Sequence, residues 1–453
     1  MAILFFIKWV IRYCFSLGIL LSFEPHFNYT MRQFIKNCVL QLLVFLARVR
    51  IRRLRLLIIG VTGSIGKTST KDAIFTILNA RFPIQRSEKS YNTEFGMPLA
   101  ILGQDSGFSS PLKWIRVMVG AVWNALVGGR NMHMLVAEMG VDKPGDMTQL
   151  LKLAKPVVGV MTNIRPVHLA EGQFKDLEDI FNEKKKLVES LPEKGVAVLN
   201  ADDGYILGLR NKLRCKTVWY GTSEIADLRL LESESTEDGL KITVSYKGQI
   251  ASVVLPLLGG FQAYVLLPAV GVALTQGFEL QEALDALQQY QLPPGRMNPI
   301  AGVNGSLIID SSYNASPEAV KEALGVLSGM GGRRIAVLGN MNELGAHSES
   351  LHRDVGKHIV GRADMLLTVG EDAKKLGEEA LANGFDEQMY KHFENTQMAT
   401  EFLKTIISQK DAVLVKGSQN KIRLERLVKA LMKNPEKAGE LLVRQGEEWA
   451  KID

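Results

Sequence analysis

From Leu56 onward the chain alternates short apolar runs with longer stretches in which apolar residues recur every three or four positions. "LLIIG", "MLVAEMG", "VVGVMTN" and "GVAVLNADD" punctuate residues 56–203 in this way. Uninterrupted runs of four to six apolar residues, each followed by an amphipathic helical pattern, predict a parallel sheet covered by helices. Residues 216–256 change character: "TVWYG", "LKITVSY" and "ASVVLPL" read as short strands joined by polar turns, a small antiparallel excursion. Helices are expected at 262–276 and 280–290, and "LPPGRMN" marks a boundary by its Pro and Gly content. A second alternation then begins with "SLIID", "RIAVLGN", "MLLTVG" and "AVLVKGS". The pattern therefore predicts an α/β protein: a central domain over 56–298 and a second α/β domain over 299–453, preceded by a short apolar helical segment, 1–55.

That first segment has two apolar stretches separated by the polar "EPHFNYTMRQ". Lys8 and Arg12 interrupt the first and Arg48 closely follows the second, so neither reaches the eighteen or so clean apolar residues of a membrane span. A small-residue cleavage pattern of the secretory kind does not follow either. Two readings stay open. The segment rests as an amphipathic or hairpin element on a membrane, with Arg48, Arg50, Arg52, Arg53 and Arg55 toward anionic headgroups, or it packs on the protein's own core with a solvated basic edge.

Charge sharpens this division. The chain of 453 residues carries a net charge of +6, yet residues 1–55 hold nine Lys or Arg against the single acid Glu24. The basic character is local, and it does not mark the body of the protein as a nucleic-acid binder. Three cysteines, Cys14, Cys38 and Cys215, are too few and too scattered for a disulfide framework or a zinc site, and they fit a reducing, cytoplasmic compartment, with the inner face of the membrane as the variant that the basic segment suggests.

The chemistry starts at "GVTGSIGKTSTK", residues 60–71. A strict phosphate loop wants Gly at the position of Val61. Gly60, Gly63 and Gly66 nonetheless let the backbone turn its N–H groups toward an anion, and a helix beginning near Lys67 adds the positive end of its dipole. Lys67 would reach terminal phosphates and the Thr68 hydroxyl would ligate Mg²⁺. Glu138 closes one strand run and His168 follows another, so a parallel sheet would bring both to the carboxyl edge that carries the loop.

Eight ordered segments carry a resemblance: "VTGSIGKTSTK", "SYNTEFGMPLAIL", "VAEMG", "TNIRPVHL", "PPGRMN", "IIDSSYNASP", "LGNMNELG" and "VLVKGSQN". In order and spacing they resemble the Mur ligases over about residues 56–430, most closely the type that adds D-alanyl-D-alanine to a UDP-N-acetylmuramoyl tripeptide. The resemblance implies a phosphate-loop central domain, a C-terminal Rossmann-like domain, and amide-bond formation through an acyl phosphate made with ATP. A carboxylate is a poor electrophile; phosphorylation neutralises it and supplies a leaving group.

The resemblance also implies roles. Gly63, Ser64, Gly66, Lys67, Thr68 and Ser69 would hold the ATP phosphates; Thr68, Glu138 and His168 would hold Mg²⁺. Lys184 matches the lysine that the family carbamylates to support a second cation, although Lys184, Lys185 and Lys186 also read as a solvated cluster. Arg296, Asp310, Tyr313 and Asn314 would meet the nucleotide, Lys416, Gly417 and Ser418 would face the substrates, and Asn92 and Thr93 the carboxylate. The sequence departs from the family at Thr93, Arg165, Phe261, Asn340 and Gln419. Residues 1–55 are also too short and too apolar for the family's UDP-gripping domain. Besides the muramoyl-peptide ligase, two alternatives follow: a ligase of the same chemistry with a folylpolyglutamate-like or lipid-linked donor, and an inactive membrane-associated nucleotide-binding scaffold.

Overall fold

The computed structural model describes residues 25–87, 95–107, 110–167, 169, 172–236, 239–419, 422–446 and 449. The expectations for His168, Asn92 and Thr93 lie outside these residues. Two compact units emerge: one from residues 1–56 with 93–130, the other from residues 57–92 with 131–453.

In the first unit the described residues form helices. Pro25–Leu54 is one continuous helix of 30 residues, so the polar residues expected to break the segment are helical from Pro25 onward; the first apolar stretch of the hairpin reading lies outside the described residues. Leu42, Leu43, Leu46 and Ala47 form its buried stripe at helical spacing. Helices Gly96–Leu102 and Pro111–Leu126 complete the unit, the second with Pro111 at its first turn and the Ser110 side chain accepting from Lys113 N at its N-cap. Two of the five arginines assigned to headgroups are used internally. Arg50 is buried and donates to Ile101 O at 2.7 Å, while Arg53 donates to Asn124 O and Ala125 O at 3.0 and 2.9 Å. These carbonyls belong to helix ends, which lack partners of their own, and a buried guanidinium must find acceptors. Arg48, Arg52 and Arg55 stay exposed.

The second unit holds two sheets. The larger runs in the order β2-β3-β1-β4-β5-β6-β7-β8-β9, with β1 Leu57–Thr62, β2 Ile84–Arg86, β3 Met134–Glu138, β4 Val158–Met161, β5 Val196–Asn200, β6 Lys216–Gly221, β7 Leu228–Thr236, β8 Gly239–Tyr246 and β9 Gln249–Leu255. Its strands are parallel through the β6–β7 pair, and only β7-β8-β9 form an antiparallel meander. "TVWYG" is therefore a strand of the parallel sheet, a correction to the excursion expected at 216: Trp219 and Tyr220 are buried on both faces, as parallel strands require. The helices Lys67–Asn79 and Ala263–Thr275 cover one face of this sheet, with Ile74, Ile77, Leu78, Leu266, Leu267 and Val270 in the shared core.

The second sheet follows the order β10-β11-β15-β12-β13-β14: β10 Asn298–Ala301, β11 Leu307–Ser311, β12 Arg334–Gly339, β13 Met365–Val369, β14 Tyr390–Phe393 and β15 Ala412–Lys416. All of its pairs are parallel except β10–β11. Apolar clusters lie on both of its faces, one around Val337, Val413 and Val415 and the other around Ala336, Leu338 and Leu414. Alternate residues of one strand thus face opposite layers of helices.

Candidate active site

The loop Gly63–Gly66 leaves β1 and enters the helix Lys67–Asn79. Gly63 sits at φ +142° and Gly66 at φ +85°, where a side chain is strained. Asn163, just past β4, fixes the loop: its Oδ1 accepts from Ile65 N at 2.9 Å, and Thr162 Oγ1 donates to Ile65 O at 2.7 Å. The Ser64 hydroxyl accepts from Arg165 N and donates to Arg165 O. These hydrogen bonds hold the loop backbone without using the N–H groups of the first helical turn, which stay available for an anion.

Around this loop the strand ends converge. Register places Glu138 beside Val61, and Thr68 Oγ1 donates to Glu138 Oε2 at 2.6 Å in a buried pair. Arg296 comes from the turn before β10, where Gly295 and Met297 both have positive φ. Its Nη2 donates to Thr68 Oγ1 at 3.0 Å, and its guanidinium lies 4.1 Å from the Tyr313 ring centre. Lys416, at the end of β15, donates to Ser311 Oγ and Asn314 O, both at 3.0 Å. Ser64, Gly66, Lys67, Thr68, Ser69, Glu138, Arg296, Asn314 and Lys416 all line one cavity of about 730 Å³.

Tyr313 lines this cavity too, whereas Asp310, Gly417 and Ser418 support its wall without lining it. Ser418 Oγ accepts from Asn342 N at 2.9 Å and donates to Ala315 O at 3.2 Å, bracing two loops. Gly417 packs its Cα against Gly339. Asp310 is buried under the β11 end, accepting from Ser312 N at 3.0 Å, with its other oxygen unpartnered; burial pushes its carboxyl up to about 6. Of the positions that depart from the family pattern, Arg165, Phe261 and Gln419 line the cavity. Asn340 instead accepts from Ala373 N at the start of a helix.

Lysines dominate the electrostatics. Burial lowers Lys67 from the usual lysine range and Arg296 adds to this, against Glu138, Asp142 and Glu343; its ammonium meanwhile donates to Ser64 O at 2.9 Å. Burial likewise brings Lys416 down to about 8. Lys184 is the extreme case. At the end of the helix Leu177–Lys184 it is 0% exposed, and its Nζ has no hydrogen-bond partner. Burial and then the nearby Lys67 charge drive it well below the usual value, while Asp142, Glu183 and Glu138 pull the other way. The solvated-cluster reading does not describe it: Lys186 pairs with Glu183 at 2.6 Å and Lys185 lies over the Phe181 ring, so only Lys184 turns inward without a partner.

Sequence reasoning did not single out Asp142, Asn163, Asp202, Tyr264, Glu322 or Asn342, all of which line the cavity. Asp142, Asn163 and Asp202 each follow a strand run within four residues, a position that open α/β sheets reserve for ligands and a signal that could have found them. Among the described residues no three His, Cys, Asp or Glu side chains cluster as a ready metal site. The Thr68–Glu138 pair still offers the hard oxygen donors that Mg²⁺ takes, and Lys184 lies within electrostatic reach of Glu138.

Comparisons agree with this geometry. The Mur ligase middle domain matches residues 61–273, and the Mur ligase glutamate ligase domain matches residues 295–419. The UDP-N-acetylmuramoyl-tripeptide--D-alanyl-D-alanine ligase of Bacillus subtilis is 28% identical over 86% of this chain and 79% of its own length. The Escherichia coli enzyme of that name is also 28% identical, over 83% of this chain and 77% of its own. The crystal structure of the Thermotoga maritima MurF ligase in complex with ADP aligns with a TM-score of 0.72 at 27% identity, covering 88% of this chain and 84% of that one. With two matched domains spanning both sheets and the cavity where they meet, the chain belongs to the Mur ligase family of ATP-dependent ligases.

Proposed function

We propose that the chain joins D-alanyl-D-alanine to the terminal carboxylate of a muramoyl tripeptide, using ATP. One observation carries the reading: Lys67 and Thr68, Glu138, Arg296 and Lys416, drawn from four separate strand ends and turns, line a single cavity. The relatives named for this reaction align with this chain over 83–86% of its length, and the two matched domains include every one of these residues. ATP would lie with its phosphates on the Gly63–Gly66 loop, where Lys67 and Arg296 neutralise the oxygens of the transferring group. The donor carboxylate attacks the γ-phosphorus, the bond to the β-phosphate oxygen breaks, and ADP leaves. The amine of the dipeptide then attacks the acyl carbon, loses a proton and expels phosphate. Enclosure by the two sheets' edges keeps water from the acyl phosphate.

Thr68 and Glu138 are the residues that would hold Mg²⁺, and His168 is assigned with them by resemblance. The bound cation would supply charge stabilisation to the phosphoryl oxygens. Lys184 fits a carbamate. Its amine is held neutral more readily than a surface lysine's, so its lone pair can attack CO₂ and form the N–C bond with loss of a proton. The resulting anion would be favoured beside Lys67 where an ammonium is repelled.

A lipid-linked donor is a second reading, favoured by the first unit: residues 25–56 and 95–130 are built from helices alone among the described residues, and residues 1–55 are strongly basic. It would place the reaction at the inner face of the membrane. Phosphate release is the test. Release that requires ATP, a muramoyl tripeptide and D-alanyl-D-alanine together supports the ligase, and parallel UDP-linked and lipid-linked donors separate the two readings. Absence of release with every donor and amine would overturn both.

A further inference from the structure

The helix Pro111–Leu126 is apolar apart from one sector that holds Lys113, Arg116 and Asn124, yet only one of its apolar sides is buried. Val117, Ala121 and Ala125 face the unit's interior. Leu112, Ile115, Val119, Trp123 and Leu126 are 46–79% exposed. At 100° per residue these five side chains fall within an arc of roughly 80° on the opposite side. A helix with apolar residues on two opposite sides belongs between two apolar environments, and the described part of the chain supplies only one. The stripe is held in place: the Arg53 guanidinium clamps the last carbonyls of this helix, and Asn124 Nδ2 donates to Leu102 O at 2.8 Å.

The stripe's surroundings say what covers it. Lys113, Arg116 and Arg130 are exposed on or beside the same helix, and Arg48, Arg52 and Arg55 are exposed in the same unit. Residues 1–56 with 93–130 contain twelve Lys or Arg against three acids, and Asp105 is the only acid among the described ones. The unit is therefore +9 in a chain whose total is +6, so the remainder is −3. An apolar face with Leu, Ile and Trp, flanked by cations and almost free of acids, complements an anionic lipid surface: apolar side chains enter the acyl boundary, Trp sits at headgroup depth and the basic groups meet phosphates.

We propose that Leu112, Ile115, Val119, Trp123 and Leu126 form a membrane-docking face that seats the chain on an anionic bilayer, the helix lying in the plane of the interface. Among the described residues no helix is long and apolar enough to cross a membrane, and this face requires none to do so. Its apolar side chains come from a different segment from the basic residues 1–55, whose exposed arginines add to its charge, and it does not depend on which carboxylate the site takes.

The full-length chain is tested for co-sedimentation with phosphatidylcholine vesicles made with and without phosphatidylglycerol. Binding to the anionic vesicles that weakens with salt is expected, and the double variant V119E/W123E should lose at least about tenfold in vesicle affinity. Trp123→Phe, which keeps the face apolar, should bind within a few-fold of wild type. Both sites are exposed, so an unchanged melting temperature and unchanged ligase turnover in solution check that the variants fold. A double variant that sediments like wild type overturns the proposal, as does equal binding to neutral and anionic vesicles. Replacing Trp123 by a photoreactive benzoylphenylalanine distinguishes the rival occupants: cross-links to lipid support the docking face, whereas cross-links to residues 1–24 or to a second copy overturn it. Failure of ligase turnover leaves the vesicle result standing, and loss of vesicle binding leaves the ligase reading standing.

Discussion

Replacing Lys184 by Met separates what this residue costs the fold from what it gives the reaction. Its Nζ is fully buried, unpartnered and next to another cation. An unsatisfied buried donor costs about 1–3 kcal/mol, and Met fills nearly the same volume without one. Lys184→Met should therefore melt several degrees higher than wild type when both are kept free of nucleotide and bicarbonate. The sign with pH follows from the lowered value. The unfolded chain binds a proton at Lys184 up to the ordinary 10.5, and the folded chain releases it earlier. Wild-type stability from this group thus rises as pH climbs toward 10.5, and the advantage of Lys184→Met is largest at low pH and shrinks upward. Turnover should move the other way, falling at least about 100-fold with the loss of an anion that supports the cation. In wild type, turnover should depend on bicarbonate, and in Lys184→Ala a short carboxylic acid should restore part of it. Calorimetry across pH and phosphate release with and without bicarbonate read both halves. A variant that melts lower, or one that keeps wild-type turnover, refutes the reasoning.

Three further outcomes test the cavity itself. Glu138→Gln keeps the shape of the Thr68 contact but removes the charge, so turnover should fall about 10²–10³-fold and the Mg²⁺ concentration for half-maximal rate should rise; an unaltered Mg²⁺ dependence would remove Glu138 from the metal set. Lys416, near 8 in the empty site, should be driven up by a bound triphosphate. ATP binding at pH 8.5 should then take up about 0.5–0.8 of a proton, seen as binding heats that vary with the buffer's ionisation enthalpy, and no uptake would contradict the placement. Without nucleotide, the depressed Lys416 makes stability rise between about pH 8 and 10.5, a slope that Lys416→Met should remove. Gly63→Ala would put a Cβ 2.0 Å from Thr162 Oγ1 at φ +142°. That displaces the hydroxyl fixing Ile65, at a cost of about 1–3 kcal/mol, and ATP titration should show weakened binding; wild-type affinity would mean that the loop tolerates the turn without Gly.

Much of this frame was legible because parallel strands buried on both faces announce themselves as unbroken apolar runs. β1, β3, β4 and β5 begin and end within about three residues of the runs that predicted them. Four strands escaped for identifiable reasons: β7 reads "LRLLESEST", and its polar second half hides the strand. β2 is only Ile84–Arg86, β10 carries Pro299 at a sheet edge, and β14 reads "YKHF", too polar for a buried strand because it too lies at an edge. The arginine cluster misled for a different reason, since side chains 48, 52 and 55 share one helical face and 50 and 53 the other. Periodicity alone could have divided them, had the segment been read as one helix. Nothing in three consecutive lysines marks Lys184 as the buried one; that depends on how the helix Leu177–Lys184 is rotated against the sheet.

The polar atoms left without partners point to the same place as the motifs. Among the described residues, buried side-chain atoms lacking a hydrogen bond include Thr62 Oγ1 at the end of β1, Asp310 Oδ2 at the end of β11, Ser312 Oγ just beyond it, Glu318 Oε2 in the cavity wall and Lys184 Nζ. A fold optimised only for stability would satisfy or remove such groups, because each costs on the order of 1–3 kcal/mol. Thr62, Asp310 and Ser312 lie at or just past the carboxyl ends of the two sheets and Glu318 in the cavity wall, so part of the empty protein's strain sits where ligands complete it. Nucleotide and cation should consequently stabilise the wild type more than mass action at the phosphate loop alone would supply, and Lys184→Met, with one such group removed, should gain less from them. If ATP and Mg²⁺ raise the melting temperatures of the two proteins equally, the unpartnered lysine is a defect of packing and not part of the site.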